Sequence, residues 1–330
     1  MTFPLWAWAA FTCFVLAVLA LDLFVLHRSA REVSLREAGL WSAIWVVFGV
    51  GFGVLLWAWR GGGTAQAYLA GYLIEKSLSV DNVFVYAVIF SMFAVAPRYQ
   101  HRMLMYGILG ALGMRAVFIT SGAALLGTFH PTVYLFGALL LYTAIQTLRP
   151  GGREVRPDQN VAVRVLRRVI PVTGQPRGQR FIVREDGRWL ATPLLVALVA
   201  VETTDVIFAV DSIPAIFAIT TDTFVVFTSN VFALLGMRSL YFLLAGAARR
   251  FRYLQPGIGV ILAGVAVKML LTDIYATPIW AAPAFVAAVL SAVAALSLRD
   301  ASRSPARTCP RAGARPARQV AGRDQRGVRS

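Results

Sequence analysis

Residues 75–84 read EKSLSVDNVF, and they stand inside an apolar run, with AQAYLAGYLI (65–74) before them and VYAVIFSMFAV (85–95) after. Glu75, Lys76 and Asp81 put three formal charges where a lipid-facing segment carries none. The fold turns on whether this run is one of many membrane spans or the core of a soluble domain. Composition decides between them. The 330 residues are 58% apolar and 15% charged, with a mean hydropathy of +0.66; soluble domains carry about 25% charge. Apolar runs of about 20 residues recur, the length that spans a hydrocarbon core of ~30 Å as a helix. The chain therefore reads as an all-α polytopic membrane protein. Nine spans are expected, at about 4–26, 40–59, 66–94, 102–126, 131–148, 190–218, 223–246, 256–275 and 278–298. The start, MTFPLWAWAAFTC, lacks a basic region and leads directly into a span, so no cleavable signal peptide is expected.

A net charge of +16 and an isoelectric point near 10.9 would suggest a nucleic-acid partner in a soluble protein. Here the charge lies in connections and tail, where it reports topology, and no nucleic-acid partner is expected. HRSAREVSLRE (27–37), PRYQHR (97–102), the Arg-rich 149–189 loop, ARRFR (248–252) and the tail from Arg299 are basic, and they alternate with poorly charged loops. Placing the basic connections in the cytoplasm puts the N-terminus outside and the C-terminus inside, in an inner membrane. A transmembrane domain is expected over 1–298 and a disordered basic tail over 299–330, the latter too rich in Arg, Pro, Ala and Gly to bury a core. Within the long loop, NVAVRVLRRVIP aligns Arg164, Arg167 and Arg168 on one helical face, an interfacial helix or a solvated basic segment. RFIVREDGRWLAT reads as a hairpin turning near Asp186 and Gly187. Cys13 and Cys309 suggest no disulfide, and His27, His101 and His130 fall at loops or span ends, so a soft-metal site is not expected.

The quoted stretch has a counterpart. Glu75-KSLSV-Asp81 matches Asp205-VIFAV-Asp211, LGMRAVF (112–118) matches LGMRSLYF (235–242), and Gly137-ALLLYTAI-Gln146 matches Gly259-VILAGVAV-Lys268. Three matches in order place spans three to five against six to eight, in opposite membrane orientation. Inverted repeats of this kind are frequent in secondary transporters, with sites at the midplane, and occur in other membrane proteins too.

Glu75, Asp81, Glu202, Asp205 and Asp211 fall near mid-membrane, with Lys76, Arg115, Arg238 and Lys268. Each charge at the bilayer centre costs about 2.5–3.5 kcal/mol, so all nine must face an interior or water-filled cavity. Only two of the 32 basic residues are lysines, and both lie in spans. The cations read as counter-charges to the acids or as ion pairs tying the repeats together. Residues six apart on a regular helix sit ~120° from each other, so Glu75 and Asp81 do not share a face. A break of the sixth span at Pro214 would let the acids converge; an ordinary kink is the alternative. With Asn82, Ser212 and Asn230 in support, the donor set is oxygen, which suits Mn²⁺, Mg²⁺ or Ca²⁺, and the same carboxylates could carry protons. No phosphate loop, GxSxG or HExxH motif is present, so neither ATP use nor enzymatic activity is expected, and no permanently bound cofactor.

EKSLSVDNVFV, VETTDVIFAVDSIPAIFAIT and SNVFALLGMRSLYFLL resemble the TerC/Alx family of bacterial membrane proteins, named for tellurium resistance, over roughly residues 15–298. The resemblance implies about nine spans, and it implies Mn²⁺ export, to which some members are linked. It implies metal handling by acids matching Glu75, Asp81, Glu202, Asp205 and Asp211. The function expected is export of Mn²⁺ or a similar hard divalent cation by proton antiport. A non-transporting scaffold and a tellurium oxyanion resistance protein are the alternatives. Partners are the lipid bilayer, the divalent ion and protons, with a homo-oligomer compatible.

Overall fold

The computed structural model describes residues 3–21, 34–149, 161–173, 178–185, 187–244, 253–274, 278 and 280–303. The expectations for His27, Asp186, the 248–252 loop, Cys309 and the tail beyond 303 fall outside the described residues, as does the side chain of Asp81.

Helices dominate. They are α1 (Leu5–Leu21), α2 (Leu35–Arg60), α3 (Gly62–Met92), α4 (Pro97–Thr128), α5 (Thr132–Leu148) and α6 (Val161–Val169). A hairpin, β1 (Ile182–Glu185) and β2 (Arg188–Ala191), precedes α7 (Pro193–Phe217), α8 (Thr223–Leu235), α9 (Met237–Leu244), α10 (Leu254–Leu270) and α11 (Ala281–Arg303). Their ends follow local chemistry. The Ser34 hydroxyl accepts from the Glu37 amide at 3.3 Å to start α2, and the Asp222 carboxylate accepts from the Phe224 and Val225 amides to start α8. Gly61, at φ +88°, turns the chain between α2 and α3 in a conformation that favours glycine. The hairpin pairs in antiparallel register, Ile182 with Ala191 and Glu185 with Arg188, around Gly187 at φ +78°.

Among the described residues, α2, α4 and α7 are long and apolar enough to cross a membrane, and α8 with α9 make a fourth span if the bent pair is one. Shorter apolar helices are α1, α5, Gln255–Leu270 and Ala281–Val293. Leu5, Val47, Val117 and Leu135 are exposed, a surface suited to lipid. The protein is an all-α membrane protein.

Two details differ from the sequence reading. α7 is unbroken at Pro214 and runs to Phe217; the proline stands one turn from the helix end, where it removes a bond without dividing the helix. The sharp break comes instead between α8 and α9, a 40° bend at Gly236. α11 also continues to Arg303, past the expected start of the tail.

Charged α3 sits centrally, packed on α2, α7, α8, α9 and α11, while α4 packs on α7 and α8. α5 and α10 form the closest helix pair. There, Gly137 lies against Leu270 and Met269, and Gly259 lies against Leu148 and Thr147. α6 packs on α7 through buried Val163 and leaves Arg164, Arg167 and Arg168 exposed.

Candidate functional site

The charges of α3, α4 and α7 meet at Arg115. Its side chain is 1% exposed, and every nitrogen of its guanidinium finds an acceptor. Nη1 donates to Glu75 Oε1, to Asn230 Oδ1 at 2.5 Å and to Ser212 Oγ at 3.5 Å. Nη2 and Nε reach the two oxygens of Asp205 at 3.4 and 3.5 Å. A planar guanidinium offers five donors in a fixed fork, which lets one residue bridge two carboxylates on different helices. Neighbours hold the acceptors in place: Tyr86 donates its hydroxyl to Asp205 Oδ1 at 3.3 Å, and Asn230 anchors its amide on the Val226 carbonyl at 3.0 Å. Glu75 is fully buried, and its second oxygen, Oε2, has no hydrogen-bond partner.

Glu202, one turn before Asp205 on α7, lies within electrostatic reach of Asp205 and Tyr86. Its carboxyl presses on Gly110 of α4, where a Cβ would collide with it, and its Oε2 is a second buried oxygen without a partner. Glu75 and Asp205 thus share one guanidinium, and Glu202 stands beside Asp205, three carboxyls to one cation. The group has room for positive charge.

Asp211 belongs elsewhere. Thr143 of α5 donates to its Oδ1 at 2.9 Å, and it lines a cavity of about 150 Å³ between α3, α5, α7 and α10, shared with Asn82. Asp205 and Asp211 are six residues apart on an unbroken helix and so face different neighbours. Among the described side chains, the acids expected to converge at a break at Pro214 therefore do not stand in a single cage. Among the described residues, no three of the His, Cys, Asp and Glu side chains stand close enough together to hold a metal ion. Two polar centres take its place, one on Arg115 and one at Asp211.

The remaining cations occupy other positions. Lys76 Nζ donates to the Ala233 carbonyl at 3.4 Å. Arg238 is half-buried at the start of α9, and Lys268 is half-buried in the last turn of α10. Sequence reasoning overlooked Tyr86, Thr143, Thr147 and Gln255. A hydroxyl or amide within an apolar run was the available signal, but threonine hydroxyls commonly bond their own helix, as Thr204 does to the Ala200 carbonyl, and a lone tyrosine or glutamine does not reveal its partner.

A family model for the integral membrane protein TerC family matches residues 60–304. An uncharacterized membrane protein of Myxococcus xanthus is 46% identical over 298 residues, covering 90% of this chain and 93% of its own. A Salmonella typhi protein with the provisional name membrane-bound redox modulator Alx is 44% identical over 282 residues, covering 82% and 87%. An uncharacterized membrane protein of Rickettsia conorii is 35% identical over 272 residues, covering 82% and 90%. No solved structure matches the chain.

Proposed function

Because this chain belongs to the TerC family of integral membrane proteins, we propose that it is a secondary transporter exporting Mn²⁺, or a similarly hard divalent cation, in exchange for protons. One observation carries the reading. Buried Glu75 and Asp205 share a single guanidinium, with Glu202 beside them. Uncompensated charge is costly away from water, and a cluster with excess carboxylate takes up cations or protons to balance it. The oxygens of Glu75, Asp205, Asn230 and Ser212 suit hard divalent ions. Arg115 is then a resident counter-charge, holding the acids when cargo is absent and yielding them when it arrives. Asp211 supplies a carboxylate toward α5 and α10.

Inverted repeats over spans three to five and six to eight, in a nine-span chain of the inner membrane with its N-terminus outside, suit this mechanism. The α5–α10 contact supports the repeat. Gly137 matches Gly259 in the aligned segments, which brings Thr147 to Met269 and Leu148 to Leu270. Gly137 touches Met269 and Leu270, and Gly259 touches their counterparts Thr147 and Leu148, so the contact maps onto itself. Coupling to protons has a physical reason: expelling a divalent ion against an interior-negative potential costs about 4.6 kcal/mol per 100 mV at 2.3 per charge. Metal binding needs deprotonated ligands, so protons entering from outside displace the ion there.

Purified protein in liposomes tests the proposal through Mn²⁺ flux with and without a pH gradient. Flux should be accelerated by a gradient acid on the release side. Lowering the pH on the uptake side should raise KM, because protons then compete for the ligands. Flux should fall at least tenfold in Asp81→Asn/Asp211→Asn. Absence of wild-type flux under every gradient would favour a second reading, a non-transporting scaffold, supported by how completely Arg115 is paired.

A further inference from the structure

The cavity beside Asp211 has more structure than a packing gap. Its walls are Leu78, Asn82 and Val85 of α3, Phe208 and Asp211 of α7, Thr143 and Thr147 of α5, and a face of α10 from Gln255 to Leu262. Leu78 to Val85 and Gln255 to Leu262 each cover seven residue steps, so the space runs about 10 Å along the helices at ~1.5 Å per residue. Thr147 is one residue from the end of α5, and Gln255 is in the first turn of α10. The space therefore reaches from Asp211 toward the end of the helix pair at which α5 stops and α10 starts, the end that continues into Arg149.

The polar groups are spaced along that length. Asp211 and Thr143 are hydrogen-bonded to each other. Thr147 follows one turn later on the same face of α5, its hydroxyl bonded to the Thr143 carbonyl at 2.9 Å, so an oxygen lone pair stays available. Asn82 is 1% exposed and its Nδ2 has no hydrogen-bond partner. A buried amide left unsatisfied is costly, and water in the cavity would satisfy it. About 150 Å³ is room for several waters.

We infer that this cavity is a receiving chamber for a partly hydrated divalent cation. In it Thr147 and Gln255 meet the hydrated ion first, and Thr143 and Asn82 position it against Asp211. The inference rests on the transport reading for its direction, with the chamber mouth on the cytoplasmic side. Its neutral oxygens and single described carboxylate fit an ion that keeps waters, which tight all-carboxylate coordination would strip. Thr147 and Gln255 are here binding residues for cargo in transit.

Cysteine accessibility tests the chamber itself. In a Cys13→Ser/Cys309→Ser background, Thr147→Cys and Gln255→Cys are introduced singly, and inverted membrane vesicles are treated with a charged, membrane-impermeant thiol reagent. Both cysteines should react, and Mn²⁺ alone should slow the reaction about tenfold or more at saturation. No reaction, or reaction at the same rate with Mn²⁺ present, overturns the inference. In liposomes the size-matched Thr147→Val and Gln255→Leu should raise the KM for Mn²⁺ about five- to tenfold, more than they lower kcat; an unchanged KM in protein that transports also overturns it. Mn²⁺-protected cysteines without wild-type flux would retire the transport reading and keep the chamber. Flux with unprotected cysteines would do the reverse.

Discussion

Arg115 concentrates the energetics of the membrane interior in one side chain. It bridges Glu75 and Asp205, acids from two helices far apart in sequence, and leaving either unpaired away from water is severe. Arg115→Met should destabilise the protein by about 3–5 kcal/mol, the range for breaking a buried pair by removing one partner. Adding Asp205→Asn should return part of that loss, and a double-mutant cycle on the unfolding free energy in detergent should give a coupling above ~1 kcal/mol. Additive losses would mean the two groups do not communicate. At this scale the sequence was partly legible. Charges in apolar runs identify Glu75, Asp205 and Arg115 as interior, because lipid forbids them elsewhere. Which acid meets which cation was not legible, since it depends on how α3, α4 and α7 cross. Thr143 escaped notice because a threonine hydroxyl in a helix has a satisfactory partner four residues back, and Tyr86 because a tyrosine in an apolar run reads as packing.

Among the helices, the bend between α8 and α9 has a built-in stabiliser. The last carbonyls of α8 lose their helical partners at Gly236 and carry the negative end of the helix dipole. The Lys76 ammonium reaches one of them, that of Ala233. A lysine in this span is thus explained by a carbonyl, where the sequence reading looked for a carboxylate. Lys76→Met should cost about 1 kcal/mol or more in unfolding free energy, since the remaining carbonyl has no water to turn to. Gly236→Ala should cost about 1–3 kcal/mol: a Cβ there would meet Lys76 Nζ at 2.6 Å and Trp45 Cβ at 3.0 Å, and only the lysine can move aside. Thermal unfolding in detergent measures both. Helix positions followed hydropathy closely, as with 131–148 against Thr132–Leu148. The break did not, because Pro214 is conspicuous in a sequence and the crowding around a glycine is invisible there.

For the whole molecule, low charge and recurrent apolar runs of about 20 residues made a helical membrane protein legible in the sequence. The separation of the acids into two centres was not readable, because it hangs on α7 staying continuous past Asp211. The α5–α10 seam bears on how such a molecule arose. At Gly137 a Cβ would meet Leu270 at 2.9 Å, and at Gly259 a Cβ would meet Leu148 at 2.8 Å. Gly137→Ala and Gly259→Ala should therefore lower the unfolding midpoint by similar amounts, and markedly unequal shifts would contradict the equivalence. A surface that fits its own duplicate is what a twofold homodimer requires. If the proposed repeat holds, the seam is the contact through which a three-helix chain, inserted in both directions, would pair with a second copy of itself.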